Sequence, residues 1–163
     1  MNQSGDIIIT RNTDEVGNDT PGYWNHASIS AGDYIIEAQA GPNKVIAVEI
    51  KKFRLRYPEY KVIRYFDSGI AYDASIVAYN LVGKPYRKLA SVFMFWRRQT
   101  LGENCVSVVR KAWAKALGID PGWRRPDHIY QTVRIGEPMG FHVIEHYLDY
   151  ENWTMPLGLG RIA

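Results

Sequence analysis

The chain is organised around one stretch, Glu103-Asn104-Cys105-Val106-Ser107-Val108-Val109-Arg110-Lys111-Ala112-Trp113. Its apolar residues recur at the spacing of one helical face. Asn104 is a favourable residue immediately before a helix, and Gly118 is a favourable residue just after one. The pattern therefore predicts a helix that begins at about Cys105.

Cys105 is the only cysteine among 163 residues, so no internal disulfide can form. A thiol in the first turn of a helix lies at the positive end of the helix dipole, which favours the thiolate. Two interpretations follow. Cys105 is either a nucleophile or a cysteine buried in the core, where free cysteines are common.

Size and composition predict one globular α+β domain over residues 1–163. The apolar content is 46% and the charged content 23%, which are ordinary values. Strands are predicted first and helices later, the order typical of α+β proteins. The predicted strands are residues 5–10, 24–30, 34–38, 44–50, 60–65 and 141–144. The predicted helices are residues 51–57, 72–82, a helix at Cys105 and a helix start at 126–130, whereas residues 86–98 fit either a helix or an irregular segment.

Charge and hydropathy indicate the kind of partner. The net charge of +3 is mild and the basic clusters are nearly balanced by acidic residues, so we expect no nucleic acid partner. No apolar run approaches the length of a membrane span. The first residues carry no export signal, which predicts a cytoplasmic protein, or an exported one if a signal was removed.

His26 and Glu37 are the candidate partners of the thiol. Each lies in an apolar stretch, where an unpaired imidazole or carboxylate is costly. The turn at Ala31-Gly32-Asp33 predicts that their strands form a hairpin, which would bring the two side chains close together. They form either part of a catalytic site or a structural pair unrelated to Cys105.

Several segments carry a family resemblance. They are Gly5-Asp6-Ile7-Ile8, Asn25-His26-Ala27-Ser28-Ile29, Ile35-Ile36-Glu37-Ala38, residues 45–65, Leu81-Val82-Gly83-Lys84-Pro85-Tyr86 and the helix at Cys105. Together they resemble the permuted, YiiX-like branch of the NlpC-type cysteine peptidases. The resemblance implies a circularly permuted papain-like fold, with a small antiparallel sheet or barrel packed on helices and with the histidine strand before the cysteine helix.

The resemblance also implies a function. The catalytic positions of the family fall on Cys105, His26 and Glu37, which would act as nucleophile, general acid–base and orienting acid. The backbone N–H of Cys105 would be one oxyanion donor, and Tyr86 a second donor or a substrate contact. The expected protein is a bacterial cysteine peptidase or amidase that cleaves a cell-wall-type peptide. No metal or organic cofactor is implied.

Three alternatives remain open at this point. The pair Asn104-Cys105 also resembles the lecithin retinol acyltransferase-like relatives, which implies a lipid amide or ester substrate. A binding module on the same fold, with an inert cysteine, would hold a ligand through aromatic and basic residues. The string His142-Val143-Ile144-Glu145-His146 matches an inverted zinc-peptidase motif, provided that it is helical. No role is predicted for His128.

Overall fold

The computed structural model describes residues 2–11, 22–86, 104–135 and 140–148. These residues form helices and strands, and the pairings between the strands are all antiparallel, which confirms the α+β class. In chain order the elements are β1 (Ile7–Arg11), β2 (His26–Ala31), β3 (Tyr34–Gln39), β4 (Lys44–Glu49), α1 (Ile50–Arg56), β5 (Glu59–Tyr65), α2 (Ser68–Tyr79), α3 (Cys105–Leu117), α4 (Pro126–Arg134) and β6 (Phe141–Leu148).

The strands form one antiparallel sheet in the order β4-β3-β2-β1-β5-β6. The predicted hairpin of β2 and β3 is confirmed. It turns at Gly32, whose φ of +63° lies in the left-handed region that glycine adopts readily. Over the described strands the sheet is open, with β4 and β6 at opposite edges, so the barrel alternative is wrong.

Both faces of the sheet are covered, as the three consecutive isoleucines of β1 predict. Ile7 and Ile9 belong to one buried cluster with Trp113 of α3 and with residues of α2 and α4. Ile8 points to the opposite face and belongs to a second cluster with Phe53 of α1. The first cluster fixes α3 against the sheet, and the second fixes α1 on its other side.

Helix α2 differs from its prediction in its limits. It begins at Ser68, because the Asp67 side chain accepts hydrogen bonds from the first N–H groups and caps the helix. Tyr72 and Ile76, two apolar residues within the predicted helix, are 56% and 45% exposed. The buried face consists mainly of alanines, whose small side chains allow close contact with α3.

The zinc-peptidase interpretation of residues 142–146 is wrong. These residues lie in β6 and pair with β5, with His142 opposite Arg64 and His146 opposite Lys61. The motif needs a helix to bring both imidazoles to one metal ion. Two β-branched residues within the string favour the strand that is observed.

The other boundaries agree well with the sequence. The first five strands and α1 lie within two residues of their predicted limits. The predicted helix start at residue 126 and the last strand are confirmed, and both elements extend further than predicted. Except for Tyr86, the ambiguous segment at residues 86–98 lies outside the described residues. Within the part of the chain that is described, we find no helix that could span a membrane.

Candidate active site

Cys105 is the first residue of α3, as predicted. Asn104 caps the helix: its Oδ1 accepts a hydrogen bond from Ser107 N–H at 2.7 Å, and its own N–H donates to Ser107 Oγ at 2.8 Å. This capping box fixes the first turn and therefore the position of the thiol. Gly118 ends the helix in the left-handed conformation, with a φ of +71°. The Cys105 residue as a whole is partly exposed.

His26 and Glu37 form the predicted pair. The β2–β3 register sets Ile29 opposite Ile36, and strand alternation then puts the side chains of His26 and Glu37 on the same face of the sheet. His26 Nε2 and Glu37 Oε2 are 2.8 Å apart. Glu37 is completely buried and the His26 side chain is 11% exposed. A carboxylate and an imidazole at this depth need each other as partners.

The thiol meets the histidine where β2 and β3 separate. The hydrogen-bonded register of the hairpin runs from the turn only as far as Ile29. Beyond that point the Ala27 N–H donates to the Cys105 sulfur, as does the Val106 N–H of α3. The thiol also hydrogen-bonds with the His26 ring. Since Nε2 of that ring is bound to Glu37, Nδ1 is the nitrogen left for the sulfur.

Among the described residues, four groups donate hydrogen bonds to the Glu37 carboxylate. His26 Nε2 and the Tyr57 hydroxyl share Oε2, at 2.8 and 3.1 Å. Gln39 Nε2 and Arg56 Nη1 share Oε1, each at 2.8 Å. Both carboxylate oxygens are therefore held, which fixes the acid in one orientation and stabilises its charge.

The electrostatics favour a thiolate–imidazolium pair. Burial opposes every charge in the site, but other groups outweigh it. Burial lowers the pKa of His26, but its interactions with Cys105 and Glu37 raise that pKa well above its ordinary value. His26 and the two backbone donors lower the pKa of Cys105. His26, Arg56 and Tyr57 lower the pKa of Glu37, whereas burial raises the pKa of Tyr57 and keeps it a neutral donor.

The oxyanion and substrate positions are only partly defined. The N–H of Cys105 lies at the N-terminus of α3, where the first N–H groups have no partner within the helix. The side chain of Tyr86 packs against the same buried cluster as Cys105, and its N–H donates to the Asn43 carbonyl at 2.9 Å. The role predicted for Tyr86 stays a prediction.

Arg56, Tyr57 and Gln39 were not predicted as site residues. The sequence contained one indication of Arg56. A buried glutamate requires a partner such as a cation, and the basic cluster nearest to Glu37 in the sequence ends at Arg56. His128 lies in α4, and His142 and His146 lie in β6. In the ranges that the structure describes, no group of three or more His, Cys, Asp or Glu residues could hold a metal ion.

Comparison with known proteins identifies one relevant fold. No protein-family model and no curated protein matches the chain. The structure is similar to the crystal structure of metalloprotein yiiX from Escherichia coli O157:H7, with a TM-score of 0.57. The match covers 91% of this chain and 89% of the other, at 19% sequence identity. The chain has a YiiX-like fold. This confirms the relation that the sequence motifs predicted, at the level of fold alone.

Proposed function

We propose that this protein is a thiol-dependent hydrolase of amide bonds that acts through Cys105, His26 and Glu37. One observation carries the proposal: a single imidazole ring hydrogen-bonds both with a thiol at a helix N-terminus and with a buried carboxylate. Nucleophile, base and orienting group in this order are the arrangement that cysteine catalysis requires. The histidine strand precedes the cysteine helix, as in a circularly permuted papain-like fold.

The reaction has two steps. The Cys105 thiolate attacks the carbonyl carbon and a carbon–sulfur bond forms, while the His26 imidazolium donates its proton to the leaving nitrogen as the carbon–nitrogen bond breaks. A water molecule then attacks the thioester and gives a proton to His26. Release of the carboxylic acid restores the thiolate and the imidazolium. The N–H of Cys105 stabilises the oxyanion in both steps, and Glu37 keeps the ring oriented.

A metal does not fit this group of residues. The similar structure is described as a metalloprotein, but both oxygens of Glu37 already accept hydrogen bonds here. One of the donors is the Arg56 guanidinium, whose positive charge would repel a metal cation. The proposed reaction therefore contains no metal-dependent step.

The proposed substrate is a cell-wall-type peptide, because the sequence motifs resemble peptidases of that specificity. The test is to incubate the protein with bacterial cell-wall peptides and to identify products by mass spectrometry. We expect a new amine and a new carboxylate with the wild type and none with Cys105→Ser. His128→Ala is a matched control, because it changes a histidine of α4 outside the proposed site.

Lipid amides and esters are assayed in parallel. Cleavage of these compounds and not of the peptides would agree with thiol-dependent hydrolysis but contradict the proposed peptide substrate. Equal turnover by wild type and Cys105→Ser would overturn the proposed function.

A further inference from the structure

Two residues at the end of α1 contact the catalytic pair from the side opposite α3. Arg56 is the last residue of the helix and Tyr57 follows it. The two side chains contact different atoms of the pair. The proposed nucleophile therefore lies on α3, whereas the end of α1 carries the side chains that contact His26 and Glu37.

Tyr57 contacts both His26 and Glu37. Its ring is stacked on the His26 ring, with centroids 5.4 Å apart and planes 14° from parallel. Its hydroxyl donates to the carboxylate oxygen that also binds His26 Nε2. The hydrogen bonds with Glu37 and Cys105 hold the two ring nitrogens of His26. The stacked and buried Tyr57 ring packs against the imidazole face, where it restricts tilting of the ring.

Arg56 holds the other end of the carboxylate. Its Nη1 lies 2.8 Å from Glu37 Oε1, and its side chain is 40% exposed whereas Glu37 is fully buried. The guanidinium therefore neutralises a buried charge while it keeps contact with solvent. Among the described residues, the ionisable groups that face His26 and Glu37 are Cys105 from α3, Arg56 from α1 and Tyr57 after it.

We propose that Arg56 and Tyr57 are positioning residues, which hold the Glu37 carboxylate and the His26 ring in the orientation in which the ring meets the Cys105 sulfur. The inference rests on the proposed function, because it assigns these residues to the same thiol chemistry. Arg56 and Tyr57 both donate hydrogen bonds to Glu37. The inference predicts that a change at either residue alters the reactivity of the Cys105 sulfur through Glu37 and His26.

The test follows alkylation of Cys105 by iodoacetamide across pH. Arg56→Gln removes a positive charge next to Glu37, which destabilises the carboxylate and, through His26, the thiolate. We expect the acidic limb of the rate profile to move to higher pH, with up to about a fivefold loss of rate on that limb because the ion pair is partly exposed. Arg56→Lys keeps the charge and should restore the limb.

Arg54→Gln is the matched control. Arg54 lies on the same helix, with its guanidinium 5.9 Å from the Tyr60 ring, and should leave the profile unchanged. Tyr57→Leu should lower the rate at neutral pH about 2- to 10-fold, whereas Tyr57→Phe keeps the stacked ring and should lose less. Thermal melting of each variant separates lost stability from lost positioning.

The outcomes separate this inference from the proposed function. If Cys105 of the wild type reacts no faster than an ordinary thiol, or if His26→Ala leaves its rate unchanged, the proposed function fails. The other case is that Cys105 of the wild type is alkylated fast and this rate depends on His26. If Arg56→Gln then behaves like Arg54→Gln, and so does Tyr57→Leu or Tyr57→Phe, the positioning role alone is overturned. Failure of Tyr57→Leu to fold leaves the Arg56 series and Tyr57→Phe to decide.

Discussion

Replacing Glu37 by glutamine tests how the acid acts on the histidine. A glutamine has nearly the same shape but no charge and only one acceptor oxygen, whereas both oxygens of Glu37 accept hydrogen bonds. The amide can turn its oxygen to His26, since Arg56 is 40% exposed and can turn to water. The main loss is then the charge that stabilises the imidazolium.

The size of the effect follows from the loss of the carboxylate charge. An opposite charge within about 4–6 Å shifts a pKa by about 1–3 units. The lower end of that range, about 1.4 kcal/mol, corresponds to a loss of roughly tenfold in the proton affinity of the His26 ring. Since Glu37 raises the pKa of His26, its removal must lower that pKa.

The assay is an NMR titration of the His26 ring in the wild type and in Glu37→Gln. We expect the ring to lose its proton at a clearly lower pH in the variant. Glu49→Gln is the control, because Glu49 is exposed and pairs with Lys52 at 3.2 Å, outside the site. An unchanged or higher midpoint in Glu37→Gln would refute the claim that the carboxylate charge supports the imidazolium.

Three further predictions concern the cap of α3, the entry to β1 and metal dependence. Asn104→Ala removes the acceptor of Ser107 N–H and should lower the free energy of unfolding by about 0.5–2 kcal/mol in chemical denaturation, and an unchanged value would contradict the cap. Gly5→Ala should lower the free energy of unfolding by at least about 1 kcal/mol in the same assay. The reason is that Gly5 has a φ of +88° and that an added Cβ would meet the Ala71 backbone. An unfolding free energy equal to that of the wild type would contradict this prediction. Treatment with a chelator should leave the alkylation rate of Cys105 unchanged, and a large loss would point to a metal in the site.

The sequence predicted the parts of the site that depend on neighbouring residues. The capped helix at Cys105 follows from Asn104 and Gly118, which act within single turns. The pairing of His26 with Glu37 follows from the tight turn at Gly32, because a short hairpin leaves little freedom of register. Each of these features depends on contacts between residues close in the chain.

The remaining features depend on contacts between distant segments. The approach of Cys105 to His26 requires α3 to pack on the sheet where β2 and β3 separate, and no local pattern encodes that point. The helix before Pro58 was predicted, but not the direction in which Arg56 and Tyr57 project. For α2, the buried face consists mainly of alanines, which an apolar spacing marks only weakly, because close contact with α3 favours small side chains over large ones.

The most direct measurement is the ionisation of Cys105, followed by the ultraviolet absorbance of the thiolate against pH, with Cys105→Ser as the blank. The account predicts that the wild-type thiolate persists below the pH at which an ordinary thiol ionises, whose pKa is about 8.5. It predicts that His26→Ala moves ionisation to that pH or above it, because burial is then opposed only by the backbone donors. A thiol that ionises at its ordinary pH in the wild type, or identically in both proteins, would contradict the thiolate–imidazolium pair.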